Sequence, residues 1–155
     1  MATVDLTQGP PRSPYERLGN ISFLPRAIDK MRAYINGKHG AYNAKTGYST
    51  QLFDLFGVTA DEFEEIVKSN ESDEQVLQVL LQRRPLTPQQ IEEWNERSET
   101  RLYTGGGDEE SKARHFKMLA DAGYGDRTDI VTTYDRLDID DGREVPRGGR
   151  RGLGK

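Results

Sequence analysis

Three helix starts follow one another in residues 58–91, which read VTADEFEEIVKSNESDEQVLQVLLQRRPLTPQQI. Each is a capping box, in which a Ser or Thr side chain and a Glu or Gln side chain three residues later both accept backbone N–H groups at the helix start. The boxes are Thr59 with Glu62, Ser72 with Gln75, and Thr87 with Gln90. Apolar residues flank the first and third boxes as hydrophobic staples. This stretch therefore predicts three consecutive short helices.

Upstream of the boxes, the sequence predicts two more helices and a capped turn. Apolar side chains share one stripe over residues 25–35 and cluster over residues 52–56, and a glycine follows each segment. A further capping box over residues 13–16 predicts a helical turn that ends at Gly19. Residues 38–48 are bounded by glycines and indicate a loop or a hairpin.

Downstream of the boxes, the third helix is broken by Gly105–Gly107, and a further helix runs from about residue 108 to residue 122. Residues 126–137 fit either a strand, by their β-branched composition, or a short helix capped by Asp129 or Thr132. The predicted fold is all-α, a single small domain of about six short helices, with one small hairpin left open.

Composition places the packed part of the chain. The chain has 155 residues, a formal net charge of −4 and no Cys. Leu, Ile, Val and Phe together make up 32 residues, which lies near the level of about one fifth below which chains tend to be disordered. All aromatic side chains fall between Tyr15 and Tyr134. We therefore predict one folded domain over residues 5–143 and a flexible, basic, Gly- and Arg-rich tail over residues 144–155.

Several classes of protein are excluded by the sequence. No stretch approaches the roughly 20 apolar residues of a membrane span, and the N-terminus has neither the basic nor the apolar region of a signal peptide. Without Cys there is no disulfide and no Cys-based zinc site, and two His cannot form a His-rich metal site. We predict a soluble, cytoplasmic protein with no metal and no cofactor.

Charge is segregated along the chain. Residues 1–58 carry a net charge of +3, residues 59–111 carry −9, and residues 142–155 carry +4. Segments of one sign are typical of surfaces that meet partners of the opposite sign. The charge pattern is therefore the main functional lead in the sequence.

Two segments carry a resemblance to a known family. The first is Pro11-Arg-Ser-Pro-Tyr-Glu-Arg-Leu-Gly19 with Leu24-Pro-Arg-Ala-Ile-Asp-Lys-Met-Arg-Ala33, and the second is Asp126-Arg-Thr-Asp-Ile130 with Tyr134-Asp135 and Leu137-Asp-Ile-Asp-Asp-Gly-Arg143. With these segments the chain resembles a bacterial family catalogued as a domain of unknown function, number five thousand and sixty-nine, over about residues 5–143. The resemblance implies a small bacterial protein and no particular activity.

Charged side chains dominate both segments and are the main candidates for a ligand or anion site. The candidates are Arg12, Arg17, Arg26, Asp29, Lys30, Asp126, Arg127 and Asp135. Guanidinium groups bind carboxylates and phosphates through paired hydrogen bonds, so these residues could line a pocket for a small anion. The interpretation we favour is that the arginines pair with this chain's own aspartates in a salt-bridge network.

Other motifs are weaker candidates for chemistry. His39 and Tyr42 could form an acid/base pair, but no nucleophile lies near them, so a structural role for His39 is favoured. The acidic run over residues 135–142 does not match the spacing of a calcium loop. The glycines at 105–107 precede acidic residues that would repel phosphate.

No catalytic constellation emerges, so the sequence favours a protein that is not an enzyme. We expect a binding or adaptor module that presents its acidic helices or its basic cluster to a protein partner. One alternative is a small-anion-binding protein or enzyme with an Arg/Asp-lined pocket. Another is a nucleic-acid accessory protein that acts through the basic tail, which the acidic body disfavours.

Overall fold

The computed structural model describes residues 4–102 and 109–154, which form seven helices and one two-stranded sheet. In chain order the elements are β1 (Arg17–Leu18), β2 (Ile21–Ser22), α1 (Leu24–Ile35), α2 (Ser49–Phe56), α3 (Ala60–Lys68), α4 (Asp73–Arg83), α5 (Pro88–Glu99), α6 (Glu109–Asp121) and α7 (Thr133–Asp140). The predicted, mainly α-helical fold is confirmed. The predicted helix break at Gly105–Gly107 lies outside the described residues.

The chain divides into two compact units, which we call unit 1 (Met1–Trp94) and unit 2 (Asn95–Lys155). None of the described helices is long and apolar enough to cross a membrane. The part of the chain that the structure describes contains no group of three or more His, Asp or Glu side chains placed to hold a metal ion. The cytoplasmic location stays a prediction.

Helix α1 is the most buried helix of unit 1, with ten of its twelve residues buried. Pro25 suits its first turn, because Pro has no N–H and the first N–H groups of a helix lack intrahelical partners. Helix α1 packs against α3 and β1, and α2, α3 and α4 pack against one another. The helix predicted to begin near Pro25 is confirmed.

The three predicted capping boxes are present. The Oγ1 atom of Thr59 accepts the N–H of Glu62 at 3.0 Å, and the Oε1 atom of Glu62 accepts the N–H of Thr59 at 2.9 Å. Equivalent reciprocal bonds of 2.8 to 3.1 Å join the other two pairs, Ser72 with Gln75 and Thr87 with Gln90. The starts of α3, α4 and α5 are therefore set by local sequence.

Aromatic side chains join the hairpin of unit 1 to its helices. The ring of Tyr48 lies 5.4 Å from that of Phe23 and 5.8 Å from that of Trp94, measured between centroids. The buried indole N–H of Trp94 donates to the carbonyl of Ser22 at 3.0 Å. This bond satisfies the one donor of a side chain that is otherwise apolar.

The hairpin lies where the sequence analysis predicts a capped helical turn, and that prediction is wrong. The Oγ atom of Ser13 accepts the N–H of Tyr15 at 3.2 Å in a turn that leads into β1. Gly19 and Asn20 then have φ values of 57° and 64°, which is the type I′ geometry of a two-residue hairpin turn. Gly19 therefore starts a hairpin rather than ending a helix, and residues 38–48 contain no strand.

Unit 2 has a small apolar core. It consists of Leu119, Ile130, Ile139 and Val145, with Phe116 and Tyr124 packed against it. Residues 126–137 fit either a strand or a short helix by sequence, and the structure forms helix α7 there. The helix begins after Thr132, whose Oγ1 atom accepts the N–H of Asp135 at 3.1 Å as the N-cap. Among the residues that the structure describes, strand pairing in this segment is limited to a single bridge between Thr132 and Leu102.

Candidate functional site

Four charged side chains are buried on α1, with 3% to 9% of each residue exposed: Arg26, Asp29, Lys30 and Arg32. Charged residues are rarely this buried without partners. Arg26 donates to the carbonyl of Arg12 at 3.2 Å and lies 5.8 Å from the ring centroid of Tyr42. The ammonium of Lys30 lies 5.3 Å from the ring centroid of Phe23. These candidate residues therefore belong to the interior of unit 1.

Arg12 and Asp29 form a two-pronged ion pair. The Nε and Nη2 atoms of Arg12 donate to the two carboxylate oxygens of Asp29 at 3.0 and 2.9 Å, and the backbone N–H of Arg12 donates to the same carboxylate at 2.9 Å. Nη2 also donates to Asp73 at 2.8 Å. Burial opposes the charge of Arg12, but the two carboxylates outweigh it and raise its pKa above the ordinary value. The pair fixes the N-terminal segment on α1.

Arg32 is the second arginine of this cluster. Its Nη1 atom donates to the carbonyl of Asn70 at 3.2 Å, and its Nη2 atom lies 3.6 Å from the carboxylate of Asp73. Nη2 makes no hydrogen bond to any residue that the structure describes. A buried donor without an acceptor is costly, and the nearby Asp73 carboxylate offsets the charge of Arg32 without accepting a hydrogen bond from Nη2.

A pocket of about 500 Å³ opens at this cluster. Its lining consists of Val4, Arg12, Asp29, Arg32, Glu71, Ser72, Asp73 and Glu74. Two guanidinium groups and four carboxylates share this space. Sequence patterns predict Arg12 and Asp29 as site residues but not Asp73, because Asp73 lies 61 positions from Arg12 and no local pattern links the two.

The remaining candidates of unit 1 lie elsewhere. Arg17 is exposed on β1, where its Nη1 atom donates to the side chain of Asn20 at 3.1 Å. His39 and Tyr42 share one turn, in which the N–H of Tyr42 donates to the carbonyl of His39 at 3.0 Å. The ring of His39 lies 5.2 Å from that of Tyr34. An acid/base role for His39 and Tyr42 stays a prediction.

In unit 2, Arg127 forms a second two-pronged pair. Its Nε and Nη2 atoms donate to the carboxylate of Asp129 at 2.9 and 3.0 Å. The hydrogen bonds from Arg127 hold the pKa of Asp129 well below its usual range. Arg127 also donates to the carbonyl of Val145 at 2.9 Å. Asp126 is exposed and pairs with Arg147 at 2.9 Å.

The third candidate of unit 2, Asp135, lies under the C-terminal segment. Asp135 and Asp138 are 1% and 0% exposed. The backbone N–H of Arg150 donates to Asp135 at 3.3 Å, and the Nε atom of Arg150 donates to Asp138 at 3.0 Å. The flexibility of residues 144–155 stays a prediction, and these are contacts that a mobile tail would have to break.

Comparison with known proteins identifies a family but no activity. A family model described as a domain of unknown function (DUF5069) matches residues 8–143. No protein of curated function is similar to the chain at a significant level. The match contains Arg12, Asp29 and Asp73 of the unit 1 pocket, and it ends where the predicted tail begins.

Proposed function

The chain belongs to the DUF5069 family, and we propose that it is a binding module whose acidic exterior in unit 1 receives a basic partner. The acidic exterior is defined by exposed acidic side chains in and between α3, α4 and α5. They are Asp61, Glu65, Glu71, Glu74, Glu92 and Glu93.

Most basic side chains at the start of unit 1 are turned inward. Residues 4–58 contain seven Lys and Arg, of which five are buried or half-buried and only Arg17 and Lys38 are exposed. The ammonium of Lys38 lies 3.7 Å from the carboxylate of Asp5. The net charge of +3 over residues 1–58 therefore overstates the positive charge that a partner would meet.

Residues 59–94 expose six acidic side chains against three basic ones, Lys68, Arg83 and Arg84. This acidic excess is the observation that carries the proposal. Exposed charges of one sign create a field that steers oppositely charged molecules and gives specificity to their encounter. A basic segment of a partner protein has the charge that suits the acidic exterior. Its binding should weaken as salt is added, because exposed charges are screened.

The test uses a labelled decapeptide of alternating Lys and Gly as a probe, with binding followed by fluorescence anisotropy at low salt. The full chain carrying Glu92→Gln and Glu93→Gln should bind it about fivefold more weakly than wild type, because two exposed ion pairs together contribute roughly 1 kcal/mol. The control carries Glu109→Gln and Glu110→Gln, an equivalent exposed pair in unit 2. Equal weakening by both variants, or no binding by wild type, would contradict the proposal.

A second candidate function is favoured by Arg32 alone. Arg32 lines the unit 1 pocket, and its buried Nη2 atom makes no hydrogen bond to the described residues. A carboxylate or phosphate oxygen that enters the pocket and reaches this atom would satisfy it. Because four carboxylates share the lining, a ligand that also carries a positive group suits the pocket better than a simple anion. The candidate is therefore a pocket for a small zwitterion.

Thermal unfolding tests this second candidate. The midpoint should rise more in glycine than in acetate or methylammonium at equal ionic strength, because only glycine carries both charges. Arg32→Lys should remove the difference, whereas Arg17→Lys on exposed β1 should keep it. Three equal midpoints in wild type would rule the pocket function out.

The nucleic-acid alternative stays a prediction. Three arginines of the tail pair with carboxylates of unit 2: Arg147 with Asp126, Arg150 with Asp138, and Arg151 with Glu96 and Glu99. A nucleic acid would have to displace these partners before it could use the tail.

A further inference from the structure

The C-terminal segment of unit 2 is bound through its backbone as well as its side chains. The N–H of Gly148 donates to the carboxylate of Asp129 at 2.8 Å, and the N–H of Arg150 donates to that of Asp135 at 3.3 Å. Carboxylates that accept backbone N–H groups recognise a chain conformation and not only a charge. We call the surface formed by Asp129, Asp135 and Asp138 the aspartate groove.

Two glycines are required by this arrangement. Gly148 and Gly149 have φ values of 91° and 84°, a region that L side chains rarely adopt. A Cβ atom on Gly149 would lie 2.4 Å from the Oδ2 atom of Asp135, so any other residue there would have to push the carboxylate aside. The groove therefore selects glycine at this position by shape.

Arg150, which follows Gly149, supplies the positive charge that the groove binds. The Nε atom of Arg150 donates to Asp138 at 3.0 Å, and its Nη2 atom donates to the carbonyl of Glu144 at 3.0 Å. Asp138 is 0% exposed, and a buried carboxylate needs a cationic or hydrogen-bonding partner. The bound feature is a Gly-Gly-Arg sequence, which the chain presents as Gly148-Gly-Arg150.

The family match includes the aspartate groove but not the Gly-Gly-Arg segment that fills it. All three aspartates lie within the matched residues 8–143, whereas Gly148 and Arg150 lie beyond them. The recognition surface thus belongs to the family domain, and the segment that fills it follows that domain in the chain.

We propose that the aspartate groove is a recognition site for Gly-Gly-Arg segments of protein partners, and that the chain's own tail occupies it as an internal competitor. A partner segment must displace residues 148–150 to bind. This site lies in unit 2 and does not depend on the acidic exterior of unit 1, so either proposal can fail without the other.

The test adds a labelled peptide with the sequence of residues 146–155 to the full-length chain. Wild type should bind it weakly, because an attached competitor acts at about millimolar effective concentration. The full-length Gly149→Ala chain, whose own tail no longer fits, should bind it about tenfold or more tightly. A peptide with alanine in place of Gly149 keeps the same charge and should bind neither chain.

Two results would overturn the proposal. One is no gain in affinity for the Gly149→Ala chain, and the other is equal binding of both peptides, which would mean attraction by charge alone. If circular dichroism shows that the Gly149→Ala chain does not fold, full-length Arg150→Ala takes its place, since it loosens the tail without a steric clash. For the Arg150→Ala chain, no gain in affinity or equal binding of both peptides would likewise overturn the proposal.

Discussion

Unit 1 and unit 2 use apolar and charged side chains in different proportions. Among residues 4–94, eighteen apolar side chains are buried, whereas residues 95–102 and 109–154 bury five. In unit 2, the buried carboxylates of Asp135 and Asp138 on α7, and the half-buried carboxylate of Asp129 before it, accept hydrogen bonds from Arg150 and from backbone N–H groups of the C-terminal segment. The difference shows how a chain lean in aliphatic residues can fold: unit 1 relies mainly on apolar burial, with the pair of Arg12 and Asp29 added to it, and unit 2 relies more on ion pairs with its own C-terminus.

The largest expected effect tests the apolar half of this comparison. Trp94→Ala should lower the free energy of unfolding by about 3–5 kcal/mol, because it leaves a large cavity in unit 1. Trp94→Phe keeps most of the ring and loses the bond to the Ser22 carbonyl, so it should cost about 1–3 kcal/mol. Urea unfolding measures both costs. A Trp94→Ala cost below about 1 kcal/mol would contradict the view that apolar burial stabilises unit 1.

The next effect tests the charged half. Asp138→Asn should lower the free energy of unfolding by about 2 kcal/mol, less than the cost of breaking a fully buried pair, because its arginine partners are partly exposed. Asp126→Asn is the matched control, since Asp126 also pairs with a tail arginine but is 68% exposed. It should cause no measurable loss, and equal losses would show that burial of the ion pair is unimportant.

A smaller effect concerns pH. Burial holds the pKa of His115 in unit 2 below 6.5, although its bond to the Ile130 carbonyl acts in the opposite direction. Because the folded pKa is depressed, the folded state binds fewer protons than the unfolded state, and stability is complete above pH 6.5 and falls as the pH falls through the folded pKa.

Denaturant unfolding at pH 7.5 and pH 5 measures this loss. His115→Gln, which does not titrate, should remove most of the difference between these two pH values. The pair of Asp129 with Arg127 contributes at lower pH, since the pKa of Asp129 is also depressed and its contribution is lost only below its ordinary value of 3.8. An unchanged pH dependence in His115→Gln would contradict the assignment.

The smallest expected effect tests how much a capping box contributes to the stability of unit 1. Thr59→Ala removes one half of a capping box and should cost about 1 kcal/mol. Thr59→Ser keeps the hydroxyl acceptor and should cost less. A larger loss than that from Trp94→Ala would mean that helix starts, rather than apolar burial, dominate unit 1.

The comparison also explains which features could be predicted. The capping boxes at Thr59, Ser72 and Thr87 were predictable because each is complete within four residues. The pair of Arg12 with Asp73 was not, since it joins residues 61 positions apart. The hairpin was missed because Gly19 ends a helix and starts a type I′ turn equally well when read alone.

The C-terminal segment shows a different limit of sequence reasoning. Its glycines and arginines have the composition of a flexible chain. In the structure, the same glycines adopt positive φ values and make close contacts, and the same arginines meet buried carboxylates. Composition predicts whether a segment can form its own core, and it does not predict whether a surface elsewhere in the chain fits that segment.

Hydrogen exchange of the full chain at low salt and at about 1 M salt tests most directly whether ion pairs hold unit 2 and apolar burial holds unit 1. At high salt the Debye length falls to about 3 Å and ion pairs that are not fully buried weaken. We predict a larger acceleration of exchange in α7 and in residues 144–154 than in α1, whose partly exposed pair of Asp29 with Arg12 also weakens. Equal acceleration in α1 and α7, or no change in α7, would contradict the account.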